Sequence, residues 1–147
     1  MRKHTGFTLV ELVVVVMILG ILAAVAAPKL LNTSSAAADN GLKQTLGVVR
    51  DAIERFAAEN AGALPGEGGD EAAFKAAIAP YLRGAFPICP VAGKNGVVKV
   101  TGGTAPILGE AFVGGMPSWH YCSGSGQFIC NLAGPTKSDP AVSYDEL

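Results

Sequence analysis

The chain has 147 residues, enough for one small domain with or without a membrane segment. Eleven basic and twelve acidic side chains leave a formal charge of −1, so no basic excess points to nucleic acid. Half of the residues are hydrophobic and 16% are charged, while two distant histidines (His4, His120) and three cysteines without a CxxC give no four-ligand zinc set.

The apolar surplus begins close to the N-terminus. Met1-Arg2-Lys3-His4-Thr5-Gly6 is short, polar and basic, and Leu12 to Ala27 is a run of 16 uncharged residues. From Phe7 to Ala27 there are 21 residues and a single charge, Glu11. As a helix that stretch spans about 31 Å, the thickness of a hydrocarbon core. A secretory signal peptide would use Ala24-Val25-Ala26 as its cleavage site, but Pro28 follows closely and Glu11 is out of place in an apolar h-region. A plain membrane anchor explains the length and leaves Glu11 unexplained. A carboxylate at mid-membrane costs about 2.5–3.5 kcal/mol, less near an interface. No other group between Phe7 and Ala27 is expected to neutralise it. An α-amine freed by a cut before Phe7, offered by a neighbouring chain, would be a partner.

Gly6-Phe7-Thr8-Leu9-Val10-Glu11, ahead of the apolar run, resembles the class III signal of type IV pilins and type II secretion pseudopilins. The resemblance implies that a prepilin peptidase cuts between Gly6 and Phe7 on the cytoplasmic face and N-methylates Phe7. It also implies that the apolar helix stays on the mature protein, single-pass in the inner membrane until it joins a filament core. Glu11 then has an assembly role.

Pro28 removes one helix hydrogen bond and favours a kink. Beyond it Leu31, Ser35, Ala38, Leu42, Leu46, Val49, Ile53 and Phe56 recur at steps of four or three, an amphipathic stripe that predicts one helix from Phe7 to Asn60. Asp39/Lys43 and Asp51/Arg55 are expected as i,i+4 pairs on the remaining faces. Asn32-Thr33-Ser34-Ser35 competes for backbone hydrogen bonds and is the expected site of a local break. Ala61-Gly62-Ala63-Leu64-Pro65-Gly66 stops the helix.

Composition shifts there. Residues 61–147 hold 15 of 19 glycines, eight of nine prolines and all three cysteines. The predicted organisation is a leader 1–6, a membrane and filament-core half of the helix 7–28, an amphipathic half 29–61 and a small periplasmic α+β domain 62–147. The domain is small enough to need the stripe of the long helix for its core. A short helix is predicted from Asp70 to Ala79, a strand at Val97–Thr101 and another at Ala111-Phe112-Val113. The clearest strands are Trp119–Cys122 and Gln127–Asn131, a hairpin around Gly124-Ser125 that pairs Trp119 with Cys130 and Cys122 with Gln127. Alternation places Trp119, Tyr121, Phe128 and Cys130 on the core face and His120 on the other. The hairpin, and Ala79-Pro80-Tyr81-Leu82 with Phe86-Pro87-Ile88-Cys89-Pro90, resemble segments of major pseudopilins, with Ser118 and Ser125 in place of the usual Gly and Thr. The expected fold is pilin-like: a long N-terminal helix packed on a small antiparallel sheet.

An oxidising periplasm implies one disulfide among three cysteines. In this register Cys122 and Cys130 are too far apart along the ladder, so Cys89 is expected to pair with Cys130 or Cys122, core-facing Cys130 preferred; a longer turn would allow Cys122–Cys130. Major pseudopilins often hold calcium near the C-terminus. Here Asp139 and Asp145 are the candidate ligands, but no spaced acidic loop surrounds them, and no cofactor is expected. No P-loop, dinucleotide fingerprint or nucleophile elbow occurs, and His120 has no matched acid at a recognisable spacing. The resemblance implies a structural subunit, not an enzyme: a homopolymer of a type II secretion pseudopilus, with minor pseudopilins, the prepilin peptidase and an inner-membrane assembly platform as partners. Its rivals are a type IV pilin for adhesion, motility or DNA uptake, and an anchored periplasmic binding domain that never polymerises.

Overall fold

The computed structural model describes residues 7–66 and 68–147; Gly6, with the rest of the leader, and the Leu31 and Asn32 side chains lie outside the described residues. Helix α1 runs Leu9–Glu59. Pro28 lies inside it, and the helix continues past Asn32–Ser35 without the expected break. The Thr33 hydroxyl donates back to the Lys29 carbonyl at 2.9 Å, one turn earlier, so it bonds within the helix and leaves the helix unbroken. The helix ends where Ala61 and Gly62 adopt φ of +54° and +88°, and the Gly62 N–H closes on the Ala57 carbonyl at 2.8 Å.

Two compact units divide the chain after Ser35. Among its described residues the first unit is helix from Leu9 onward, and from Phe7 to Leu30 every residue is exposed. The second, Ala36–Leu147, contains the rest of α1 and everything that follows. Helix α2, Glu71–Ile78, is capped by Asp70, whose carboxylate accepts from the Ala72 N–H. A 3-10 turn, Ala79–Tyr81, follows it with Pro80 at the start. The strands are β1 (Val98–Thr101), β2 (Trp119–Cys122) and β3 (Phe128–Cys130), in the order β1-β2-β3.

The sheet is mixed, not antiparallel. β1 runs parallel to β2, with Val98 opposite Trp119 and Val100 opposite Tyr121. Parallel neighbours need a crossover, and the 17 residues Gly102 to Ser118 provide it. That crossover contains no strand: Ala111-Phe112-Val113 stays irregular, with Phe112 and Val113 exposed and no ladder partner. β2 and β3 form the hairpin in the expected register, Trp119 opposite Cys130 and Tyr121 opposite Phe128, and the Cys122 N–H donates to the Gln127 carbonyl. Gly126 turns the chain at φ +75°, and a side chain at Gly124 would collide with the Gly103 carbonyl.

The core joins three layers. Leu42, Leu46, Val49 and Ile53 of α1 face Phe74 and Ile78 of α2 and the inner side of the sheet, Val98, Trp119, Tyr121, Phe128 and Cys130. Phe74 stacks on Tyr121 at 4.2 Å between centroids, and Trp119 on Phe128 at 5.2 Å. Each such side chain contributes about 1.5–3 kcal/mol by leaving water. The stripe read from the sequence is therefore the wall of this core, which explains why the second unit begins inside α1. The outer face of β2 is covered as well. His120 is 6% exposed, bonded to the Thr101 hydroxyl at 3.1 Å and to the Leu108 carbonyl of the crossover at 3.3 Å. Burial lowers its pKa, only partly offset by the Leu108 carbonyl.

Candidate functional site

The first turn of α1 begins at Thr8. Its hydroxyl accepts from the Glu11 N–H at 3.2 Å, while Glu11 Oε2 accepts from the Thr8 N–H at 2.9 Å and from the Thr8 hydroxyl at 2.8 Å. This is a reciprocal capping box. It gives the Glu11 carboxylate two local donors, neither of them charged, so its charge is hydrogen-bonded and not neutralised within the segment Phe7 to Ala27. The signal was legible as Thr8-x-x-Glu11 before an apolar run.

The apolar stretch that follows has no cover. Phe7 is 81% exposed, and Leu9, Val13, Val16, Ile18, Leu22 and Val25 are all exposed, on every side of the helix. None of the most apolar window is buried, and the segment is long and apolar enough to cross a membrane. An all-round apolar helix is found in lipid or inside a protein assembly. The Pro28 site lies at its end, within continuous helix.

Two α1 residues that the periodicity assigned elsewhere or passed over hold the C-terminal segment. Asp39 is 1% exposed and makes no pair with Lys43; it accepts from the Ser138 N–H at 2.7 Å and the Tyr144 hydroxyl at 2.8 Å. Burial alone would raise its carboxyl pKa, but the hydrogen bonds from Ser138 and Tyr144 outweigh it and hold the group below its ordinary value. The clue was spacing, since Asp39 stands three and seven residues before Leu42 and Leu46, on the stripe itself. Arg50 donates through Nε and Nη2 to the Phe128 carbonyl at 3.0 and 2.9 Å and through Nη2 to the Leu147 carbonyl at 2.6 Å. Its burial lowers its pKa. The expected Asp51–Arg55 pair is likewise not formed; both side chains are exposed, where an isolated pair gains little.

Cys89 and Cys130 are fully buried with their sulfurs 3.9 Å apart, both as thiols. The Cys130 thiol bonded to Cys89 brings the Cys89 pKa down to about 7 despite burial, and Cys130 itself is pushed up. Cys122 is elsewhere, donating to the Gly103 carbonyl at 3.0 Å. Asp139 and Asp145 are occupied by loop bonds. Asp139 accepts from the Ala141 N–H at 3.0 Å; Asp145 accepts from the Gly109 N–H at 2.9 Å and from the Ser143 hydroxyl. Among the described residues no group of three or more His, Cys, Asp or Glu could hold a metal ion.

Residues 1–27 match the family described as the prokaryotic N-terminal methylation motif. The chain is 40% identical over 60 residues to the type II secretion system core protein G of Vibrio cholerae, an alignment covering 41% of this chain and 41% of that relative. The chain thus matches less than half the length of that protein. No solved structure matches it.

Proposed function

We propose that this chain is the major structural subunit of a helical pseudopilus that drives type II protein secretion. It waits in the inner membrane with its N-terminus cytoplasmic and its C-terminal domain periplasmic. A prepilin peptidase cuts between Gly6 and Phe7 and methylates the Phe7 amine. The mature subunit then leaves lipid, through an inner-membrane assembly platform, for a periplasmic filament nucleated with minor pseudopilins. The carrying observation is the uncovered apolar helix with its polar start at Thr8 and Glu11, within the stretch that matches the methylation motif. Such a helix costs free energy in water and needs lipid or other copies around it. Similarity to a secretion core protein favours the pseudopilus over a type IV pilus. In the filament the Glu11 carboxylate pairs with the Phe7 amine of an adjacent subunit. The work of the chain is assembly, not catalysis.

The test is the mature N-terminus together with the polymer. Intact mass and N-terminal sequencing of membrane-extracted protein are expected to give methylated Phe7, and Gly6→Val is expected to leave the chain uncut. A start at Ala27 or Pro28 would mean an ordinary exported protein. Correct processing with no multimer ladder on cross-linking, in cells that express the whole secretion system, would instead leave an anchored monomer and overturn the filament.

A further inference from the structure

We propose that Cys89 and Cys130 form a structural cystine that ties the irregular segment between the 3-10 turn and β1 to the sheet, leaving Cys122 as the single thiol. The pair is singled out by position. The two sulfurs lie 3.9 Å apart on opposite sides of a buried contact, and neither residue has any solvent exposure. Their sulfurs already face each other, whereas Cys122 sits at the far end of β2 from the Trp119–Cys130 pair, under the Gly103 carbonyl.

The segment needs such a tie. From Leu82 to Val97 it has only bends and turns. The Cys89 N–H to the Asn95 carbonyl at 3.0 Å is a bond within it, and the Ser118 hydroxyl to the Ala92 carbonyl at 2.6 Å, the Asn95 amide to the Met116 carbonyl at 3.1 Å and the Trp119 indole to the Pro87 carbonyl at 3.1 Å join it to the crossover and β2. It also forms one wall of a groove of about 500 Å³, with Arg83 and Pro87 facing Val48, Asp51 and Arg55 of α1. A cystine at Cys89 fixes that wall to β3.

Formation belongs to the folding stage, because an oxidant cannot reach sulfurs without exposure. With the segment open, the Cys89 thiolate attacks the disulfide of an exported thiol–disulfide oxidoreductase. That bond breaks, one oxidant thiolate leaves, and a mixed disulfide remains on Cys89. The Cys130 thiolate then attacks Cys89 Sγ and displaces the second oxidant thiolate. Two protons and two electrons leave the cysteine pair, and the oxidant ends as a dithiol. Closure of the segment then shields the bond from reductant.

The inference rests on periplasmic placement of the domain, so the experiment has two arms. Full-length protein from membranes is alkylated at once and mapped without reduction; a Cys89–Cys130 linked pair with alkylated Cys122 is expected. Full-length protein in detergent, reduced, unfolded and refolded with oxidised glutathione, is expected to give the same link. Cys89→Ser and Cys130→Ser are each expected to speed tryptic cutting at Arg83 and Lys94 by about tenfold, with Cys122→Ser unchanged. Free Cys89 and Cys130 in both arms, or a link to Cys122, overturns the cystine. A link formed only in detergent overturns the periplasmic placement, and with it the cystine in the cell.

Discussion

Replacing Asp39 tests how the C-terminal segment is held. The carboxylate is 1% exposed and serves two donors, the Ser138 N–H at 2.7 Å and the Tyr144 hydroxyl at 2.8 Å. Asp39→Ala leaves both unpaired, at about 2 kcal/mol each, so about 4 kcal/mol in all. Asp39→Asn keeps an oxygen for Ser138 and turns an amide toward the Tyr144 oxygen. It loses only charge assistance, about 1 kcal/mol per bond and about 2 kcal/mol in total. At roughly 4 °C per kcal/mol for a unit of this size, the expected Tm losses are about 16 and 8 °C. The readout is fluorescence of the buried Trp119 during heating of detergent-solubilised full chain. Tyr144→Phe supplies a double-mutant cycle, in which a coupling of about 1–2 kcal/mol with Asp39→Asn is expected. The pH dependence has a definite sign. The folded carboxyl sits below its unfolded value of about 3.9, because hydrogen bonds from Ser138 and Tyr144 outweigh burial. Its stabilisation is therefore complete above the unfolded pKa and is lost as pH falls through the folded one. The gap between wild type and Asp39→Asn should close from about pH 5 downward. An Asp39→Ala Tm within roughly 2 °C of wild type, or a gap that widens in acid, would refute this account of how the C-terminal segment is held.

Two further outcomes concern the start of α1. Glu11→Leu is expected to insert and be cut normally and yet give few filaments, or filaments slipped in register. Membrane level, processing and filament yield are scored together, and normal filaments from that variant expressed alone would remove the pairing role. Thr8→Val keeps the branched shape but loses the hydroxyl of the capping box, at about 1 kcal/mol. Amide exchange at Val10 to Val13 in vesicles is expected to rise about fivefold; unchanged protection would show that the cap contributes nothing there.

What was legible in the sequence followed from period and spacing. The hairpin register came from alternation around Gly124-Ser125, and the structure has it residue for residue. The stripe from Leu42 to Ile53 named the core face of α1 because only one period fits those positions. The sheet direction was not legible. Val98–Thr101 announces a strand, but parallel or antiparallel pairing depends on where the following crossover lays it down, and residues 102–118 carry no periodic pattern. The same gap produced the false strand at Ala111-Phe112-Val113, where β-forming residues lack a partner. Asp39 was misassigned because i,i+4 charge pairing is a local rule, and its partners lie 99 and 105 residues away. Thr8 was overlooked for the opposite reason, since a local capping signature was in plain view next to a charge that suggested a distant partner.

The capping box sharpens what Glu11 still lacks. Both Thr8 donors fall on one oxygen, Oε2. Two hydrogen bonds to a charged group contribute about 1.5 kcal/mol each. Their sum, about 3 kcal/mol, is close to the 2.5–3.5 kcal/mol that a carboxylate costs at mid-membrane. On the proposed reading, a lone subunit is thus tolerated in lipid with Glu11 ionised and hydrogen-bonded on one side. The hydrogen bonds leave the net charge in place. What a neighbouring subunit adds is therefore opposite charge, and a protonated amine at Phe7 supplies it together with donors for the free oxygen. Because Phe7 precedes Glu11 by less than two helical turns, a contact between two parallel chains requires an axial offset. On that same proposed reading, the carboxylate that is tolerable in the membrane favours one stagger over all others in the filament.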